Sequence, residues 1–339
     1  MEEVSAGLQL PGNLASNRIA YLSMSDLTGF FAYDHLSFPA LAELGWEGSL
    51  VPWDRANGDW SRYAAVVIRS TWDYQKRAQE FLEVLAAIER SGTLLLNSLA
   101  IVRWNIDKQY LRDLEQRGVR IVPTEWLPNL PTAADLLPLF ERFQTGELVV
   151  KPTVGANADD TFRLRPDRAE SWDEAAQIFG DKPLLVQPFL QSIVDEGEYS
   201  LFYFDGKFSH AVLKRPASGD FRVQEEHGGE IAATVPTSEL LQAGQRAMAA
   251  LPERVLYGRV DLVRLPDGAW GVIEIELIEP SLYFPYDSGS IERFAVALDR
   301  RLREALQVSQ LHGESSRWRG RSIIIRMADF RFPDSGRAL

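Results

Sequence analysis

Residues 255–281 read VLYGRVDLVRLPDGAWGVIEIELIEPS, and the reading of this stretch decides the fold. Pro266-Asp267-Gly268 is a turn signal between two runs rich in Val, Ile and Leu, which predicts a β-hairpin. With Asp267-Gly268 as a two-residue turn, counting back along both arms sets Asp261 opposite Glu274 and Arg259 opposite Glu276. Asp261, Glu274 and Glu276 then share one face of an otherwise apolar hairpin. Carboxylates crowded in a partly buried site repel one another and lose hydration, at a cost of roughly several kcal/mol per ion unless paired. Arg259 neutralises one of them. A divalent cation suits the rest, and all-oxygen ligation fits Mg²⁺, with phosphate completing the shell. An ordinary solvated strand face accounts for the alternation too, and a one-residue slip of register would scatter the cluster.

The composition bounds what surrounds this hairpin. A chain of 339 residues has room for two or three domains, and 45% hydrophobic with 25% charged residues is ordinary for a globular protein. A net charge of −12 argues against a nucleic-acid or anionic-membrane surface while leaving room for a local cationic pocket. The chain has no cysteine, so disulfides and thiolate chemistry are excluded, and its four histidines show no metal-binding spacing. No apolar run approaches the ~20 residues needed to span a bilayer. The opening MEEVSAGLQLPGN is acidic and lacks a secretory apolar stretch, so a cytoplasmic location is expected.

Outward from the hairpin, the first hundred residues alternate strand and helix. Residues 18–22, 49–51, 63–68 and 94–96 read as strands, and 35–44 and 75–90 as helices, which predicts an open, doubly wound parallel sheet. Arg69 follows the third strand, at the end where such sheets bind ligands, and could grip a substrate carboxylate; a helix-capping loop using Ser70 or Asp73 explains the segment equally. Residues 105–118 read as one amphipathic helix with Lys108 in its first turn, where the helix dipole disfavours a cation. Residues 119–127 read as a strand, and LVVKPT as another that carries Lys151, a charge needing an anionic partner. The small loop 153–160 that follows has the composition of a lid over phosphate. A second hairpin turns at Asp205-Gly206, a polar loop around Arg222 leads to a helix over 239–251, and a last helix spans 291–306. Residues 312–339 hold six arginines against three acids with no clear period, and read as a disordered tail.

Lys108, Lys151, the Gly/Ala loop, Gln187-Pro188-Phe189-Leu190, Arg222 and the Asp261…Glu274-x-Glu276 set stand in an order that resembles the ATP-grasp superfamily, in its glutathione synthetase-like branch. Within it, VVIRSTWDY, IVRWNIDKQYL, LVVKPT, GRVDLVR and IEIELIEPSL resemble the cyclo-ligases of D-cycloserine biosynthesis, which close O-ureido-D-serine; GANADD and RPASGDFRVQEEHGG do not, and a sister enzyme is expected. The resemblance implies an ATP-grasp fold, α+β in its ATP-binding part, behind an N-terminal α/β domain. The expected divisions are a flexible 1–17, a substrate domain 18–104, a lid domain 105–186, a C-terminal domain 187–310 with the metal site, and the tail 311–339. It implies ATP with Mg²⁺ (or Mn²⁺), small carboxylate and amine substrates, and allows a homodimer. Lys108, Lys151 and Arg222 would meet the phosphates beneath Gly155, Gln187 to Leu190 the adenine, and Glu198 the ribose. Asp261, Glu274 and Glu276 would ligate the metal, with Lys151, Arg222 and Arg259 as catalytic cations. Arg69, Lys214, Glu279 and Ser281 are expected at the substrate end. The reaction implied is ADP-forming carboxylate–amine ligation through an acyl phosphate. A phosphotransferase on the same fold and a nucleotide-binding regulatory protein without turnover are the alternatives.

Overall fold

The computed structural model describes residues 16–55, 58–130, 133–155, 160–167, 169–180, 182–223, 225 and 228–319. Arg18–Ser23 (β1), Glu47–Pro52 (β2), Ala65–Ser70 (β3) and Leu94–Leu96 (β4) form a parallel sheet in the order β2-β1-β3-β4. Every residue of β3 is buried, as a strand covered on both faces requires. Alternation along β1 explains the two layers. Ile19 and Tyr21 pack with Phe294, Leu298 and Leu302 of the last helix, while Ala20 and Leu22 pack with Phe81, Leu85 and Ile88 of the helix Ala78–Arg90. The expected doubly wound sheet is present.

Two antiparallel sheets follow. Glu125–Leu127 (β5), Leu148–Pro152 (β6), Phe162–Leu164 (β7) and Leu184–Pro188 (β8) pair in the order β5-β8-β6-β7. Glu198–Phe204 (β9), Lys207–Arg215 (β10), Glu230–Thr234 (β11), Tyr257–Arg264 (β12) and Trp270–Glu276 (β13) pair in the order β11-β10-β9-β12-β13. β11, unlike the other strands of this sheet, has no counterpart among the expected elements: it is an edge strand whose residues are half-buried or exposed and so lack a core-facing pattern.

Several boundaries differ from the expected ones. Residues 105–118 are not one helix: Leu99–Asn105 and Tyr110–Gln116 are separate helices, and Lys108 lies in the turn between them. Tyr110, Leu111, Leu114, Val119 and Ile121 pack into the core of the third sheet, and Ile121 forms a parallel bridge with Val272, so this stretch does not join the lid domain. The expected division after residue 186 falls inside β8, which the pairing with β6 carries on to Pro188. The last helix runs Ser290–Arg319, past the expected start of the tail; residues 1–15 and 320–339 lie outside the described residues. Among the described residues no helix is long and apolar enough to cross a membrane.

Two asparagines tie the first sheet to the acidic hairpin. Asn97 Nδ2 donates to the carbonyls of Tyr257 (2.9 Å) and Leu277 (2.8 Å), and the Leu256 N–H donates to Asn97 Oδ1 at 2.6 Å. Asn105 Nδ2 donates to the Ile275 carbonyl at 2.9 Å and its Oδ1 accepts from the Leu277 N–H at 2.8 Å. Backbone groups at the end of β13 that have no strand partner are satisfied this way.

Candidate active site

The hairpin pairs Asp261 with Glu274 and Arg259 with Glu276, in the expected register, by an unexpected route. Its turn is one residue longer than the two-residue form. The Gly268 N–H donates to the Leu265 carbonyl, the Leu265 N–H donates to the Ala269 carbonyl, and Arg264 therefore faces Trp270. Gly268 sits at φ 82°, a conformation that favours glycine. That turn alone would set Ile273 against Asp261 and turn both glutamates toward the core. A β-bulge at Ile273 restores the register, because the pairing jumps from Leu262–Val272 to Asp261–Glu274. Val272 and Ile275 consequently both face the core behind the sheet, and Ile273 joins the cleft.

Each of the three carboxylates is met by a cation. Lys108 Nζ lies 2.8 Å from Glu274 Oε1 and donates to the Gly155 carbonyl at 2.6 Å. Arg259 donates to both oxygens of Asp261, at 3.0 and 2.9 Å, and pairs with Glu276. Burial raises the Asp261 carboxyl, but Arg259 and Lys214 more than offset it and hold the group below the usual range. Glu274 is likewise held low, burial being outweighed by Lys108 and Lys151. Glu276 is different. Burial, then repulsion by Glu274 and Asp261, pushes it up to about 7 in spite of Arg259.

The oxygen-rich donor set suits Mg²⁺ chemically, but the expected trio is not assembled as one cage. Among the described residues no group of three potential ligands stands together. The reason is Asp261: it is 2% exposed and enclosed by Ser200 Oγ (2.5 Å), Lys214 Nζ (3.4 Å) and Arg259. Glu274 and Glu276 keep their side chains half-buried beside the cleft and fit a cation better.

That cleft encloses about 860 Å³, part of it open to solvent, between the second and third sheets. Lys108, Lys151, Gly155, Gln187 to Leu190, Glu198, Arg222 and Glu274 line it, which brings together every residue expected to meet the nucleotide. β6 delivers Lys151, whose burial pushes its ammonium down to about 8, with Lys108 adding to the effect. Gln187 Nε2 donates to Thr124 Oγ1 at 3.0 Å, and the Phe189 N–H to the Glu147 carbonyl at 2.9 Å, fixing the strand end. Phe189 lies under the Arg163 guanidinium at 3.8 Å and beside Phe221. Arg222 is bound to Asp220 of its own loop. Residues 156–159 of the expected lid lie outside the described residues.

The substrate-end expectations are corrected in part. Arg69 does not face a ligand: it is 1% exposed, with Nε donating to Asp34 at 2.8 Å, an amino group to the Pro280 carbonyl at 2.7 Å, and its plane 4.7 Å from the Tyr257 ring. Lys214 is not there either, since it bridges Glu198 at 2.5 Å to Asp261 beneath the acidic face. Glu279 is buried next to the acidic face, and Ser281 follows half-buried on the same turn. Sequence reasoning missed Asp34, Ser200 and Tyr74. Each meets its partner, Arg69, Asp261 and Glu279 in turn, from far along the chain, and a break of alternation at Ile273-Glu274 was the one signal that could have exposed the bulge.

Two antiparallel sheets closing on a cationic cleft with an acidic hairpin at its floor define the ATP-grasp class. The family described as "D-cycloserine synthetase DcsG, N-terminal domain" matches residues 19–97. "Cycloserine biosynthesis protein DcsG" of Streptomyces lavendulae is 35% identical over 284 residues, covering 78% of this chain and 92% of that protein. A crystal structure of D-cycloserine synthetase DcsG superposes with a TM-score of 0.74 at 30% identity, over 84% of this chain and 99% of the other. The ATP-grasp ligase PsnB, solved with a minimal precursor, Mg and ADP, shares the fold at a TM-score of 0.59 and 16% identity, over 85% of this chain and 98% of the other. The chain belongs to the DcsG family of ATP-grasp enzymes, and it is an ATP-dependent carboxylate–amine ligase.

Proposed function

We propose that the cleft takes ATP and that the chain joins, or closes within one molecule, a carboxylate and an amine of small amino-acid-like substrates. The observation that carries this is Lys151, a half-buried cation with no ion pair among the described residues, in a cleft walled by Gln187 to Leu190. A polyanion is the partner such a lysine needs. Lys108, Lys151 and Arg222 would then bind the phosphates, and Gln187 to Leu190 the adenine. Mg²⁺, when bound, would neutralise phosphate charge. Glu274 and Glu276 would hold it, and Asp261 would join them only by giving up Lys214 or Arg259.

In this reading a substrate carboxylate attacks the γ-phosphorus, ADP leaves, and an amine displaces phosphate from the acyl carbon. Such a route needs alignment and charge stabilisation more than a general base. A substrate labelled with ¹⁸O in its carboxylate tests the route. One labelled oxygen should appear in the released orthophosphate; unlabelled orthophosphate would exclude an acyl phosphate.

A further inference from the structure

Glu279 stands apart from the other acids of the site. Asp261, Glu274, Glu276 and Glu198 each have a lysine or arginine at ion-pair distance, whereas Glu279 has none among the described residues. It is 8% exposed, and burial, with repulsion from Glu276, pushes it up to about 8. The groups that hydrogen-bond it are neutral. Gln75 Nε2 lies 3.3 Å from Glu279 Oε1, the Tyr74 hydroxyl hydrogen-bonds the same carboxyl, and Trp72 Nε1 donates to the Glu279 carbonyl at 2.9 Å. Trp72 stacks on Phe30 at 5.5 Å, and Tyr74 on Phe81 at 4.6 Å. On the same strand end, Ser70 Oγ and Thr71 Oγ1 are buried without a hydrogen-bond partner among the described residues.

This constellation lies where the carboxyl end of β3 meets the turn after β13, the end of a parallel sheet at which ligands bind. A carboxylate with aromatic neighbours and no cation of its own is suited to an organic ammonium, which offers three N–H donors and a charge. We infer that Glu279 anchors a protonated amine of the substrate, held unreacted against Glu279, Tyr74 and Trp72. The inference rests on the ligase reading above and names the group recognised at the substrate end of that site.

The test measures ATP-dependent ADP release from the full chain with a panel of D- and L-amino acids and O-ureido-D-serine, the best of them set against its N-acetyl and α-hydroxy counterparts. Glu279→Gln should raise the KM for the amino acid roughly ten- to a hundredfold, with kcat and the KM for ATP little changed, and erase the preference for a free amine. Glu279→Asp should keep that preference. If Glu279→Gln kept the wild-type preference, or if wild type itself used the N-acetyl acid equally well, the assignment would be overturned. A fall in kcat with an unchanged KM would overturn it as well, by making Glu279 a base for the attacking amine. No ADP release by wild type with any acid would overturn the ligase reading and the anchor with it.

Discussion

At the scale of the residue, two strand cations, Lys151 half-buried and Arg69 fully buried, do opposite things. Lys151 faces the cleft without an ion pair, and only its ammonium form complements phosphate. Because its folded pKa lies near 8, kcat/KM for ATP should be flat below that pH and fall about tenfold per unit above it. Lys151→Arg, charged throughout, should lose this alkaline limb. A limb that persists in the arginine variant would assign it to another group. Arg69 instead braces the first sheet against the turn after β13. Arg69→Ala leaves Asp34 buried and uncompensated, at a cost of roughly 3–5 kcal/mol. A clear loss in Tm with substrate KM values changed by less than about threefold is expected; a large rise in KM with unchanged Tm would return Arg69 to the substrate. Lys151 was legible because a charge in a short apolar strand is locally anomalous. Arg69 was not, since its partners Asp34 and Pro280 come from loops distant in sequence.

At the scale of the element, the hairpin shows how a correct register can be read from an incorrect turn. The two-residue turn and the uninterrupted ladder were each off by one residue, in opposite senses, and the errors cancel at Asp261. The glutamates therefore depend on Ile273. Left in the ladder it would turn both to the core, so its deletion should close the bulge into a regular ladder that keeps Glu274 opposite Asp261 and Glu276 opposite Arg259, and leave soluble protein; an insoluble deletion variant would show that the bulge is needed for more than register. Within the hairpin the acids should also separate by experiment. Glu274→Gln is expected to lower turnover by several orders of magnitude at unchanged Tm, since its side chain is half-buried. Asp261→Asn should lower both, because Arg259 and Lys214 lose their shared counter-ion. Equal Tm losses in the two variants would contradict this division.

At the scale of the whole molecule, three sheets are legible in the sequence to different degrees. The parallel sheet announces itself through β-α-β alternation and the fully apolar β3. The division between the second and third sheets does not, because residues 105–122 leave the first sheet and pack into the core of the third before the second begins. The last helix is fastened by Asp205, which accepts from Arg254 at 2.5 Å and from Arg300 at 2.7 Å. A chain ending at Leu311 keeps both contacts and should stay soluble and active; loss of either would make the remaining residues part of the fold. The central claim, that this architecture performs ADP-forming ligation, is tested most directly by following ³¹P resonances of a mixture of the protein, ATP, Mg²⁺ and the amino-acid panel. ADP and orthophosphate should appear in equal amounts, together with one amide or cyclic product, and only when a substrate acid is present. A phosphorylated acid that accumulates without orthophosphate, or AMP with pyrophosphate, would contradict it.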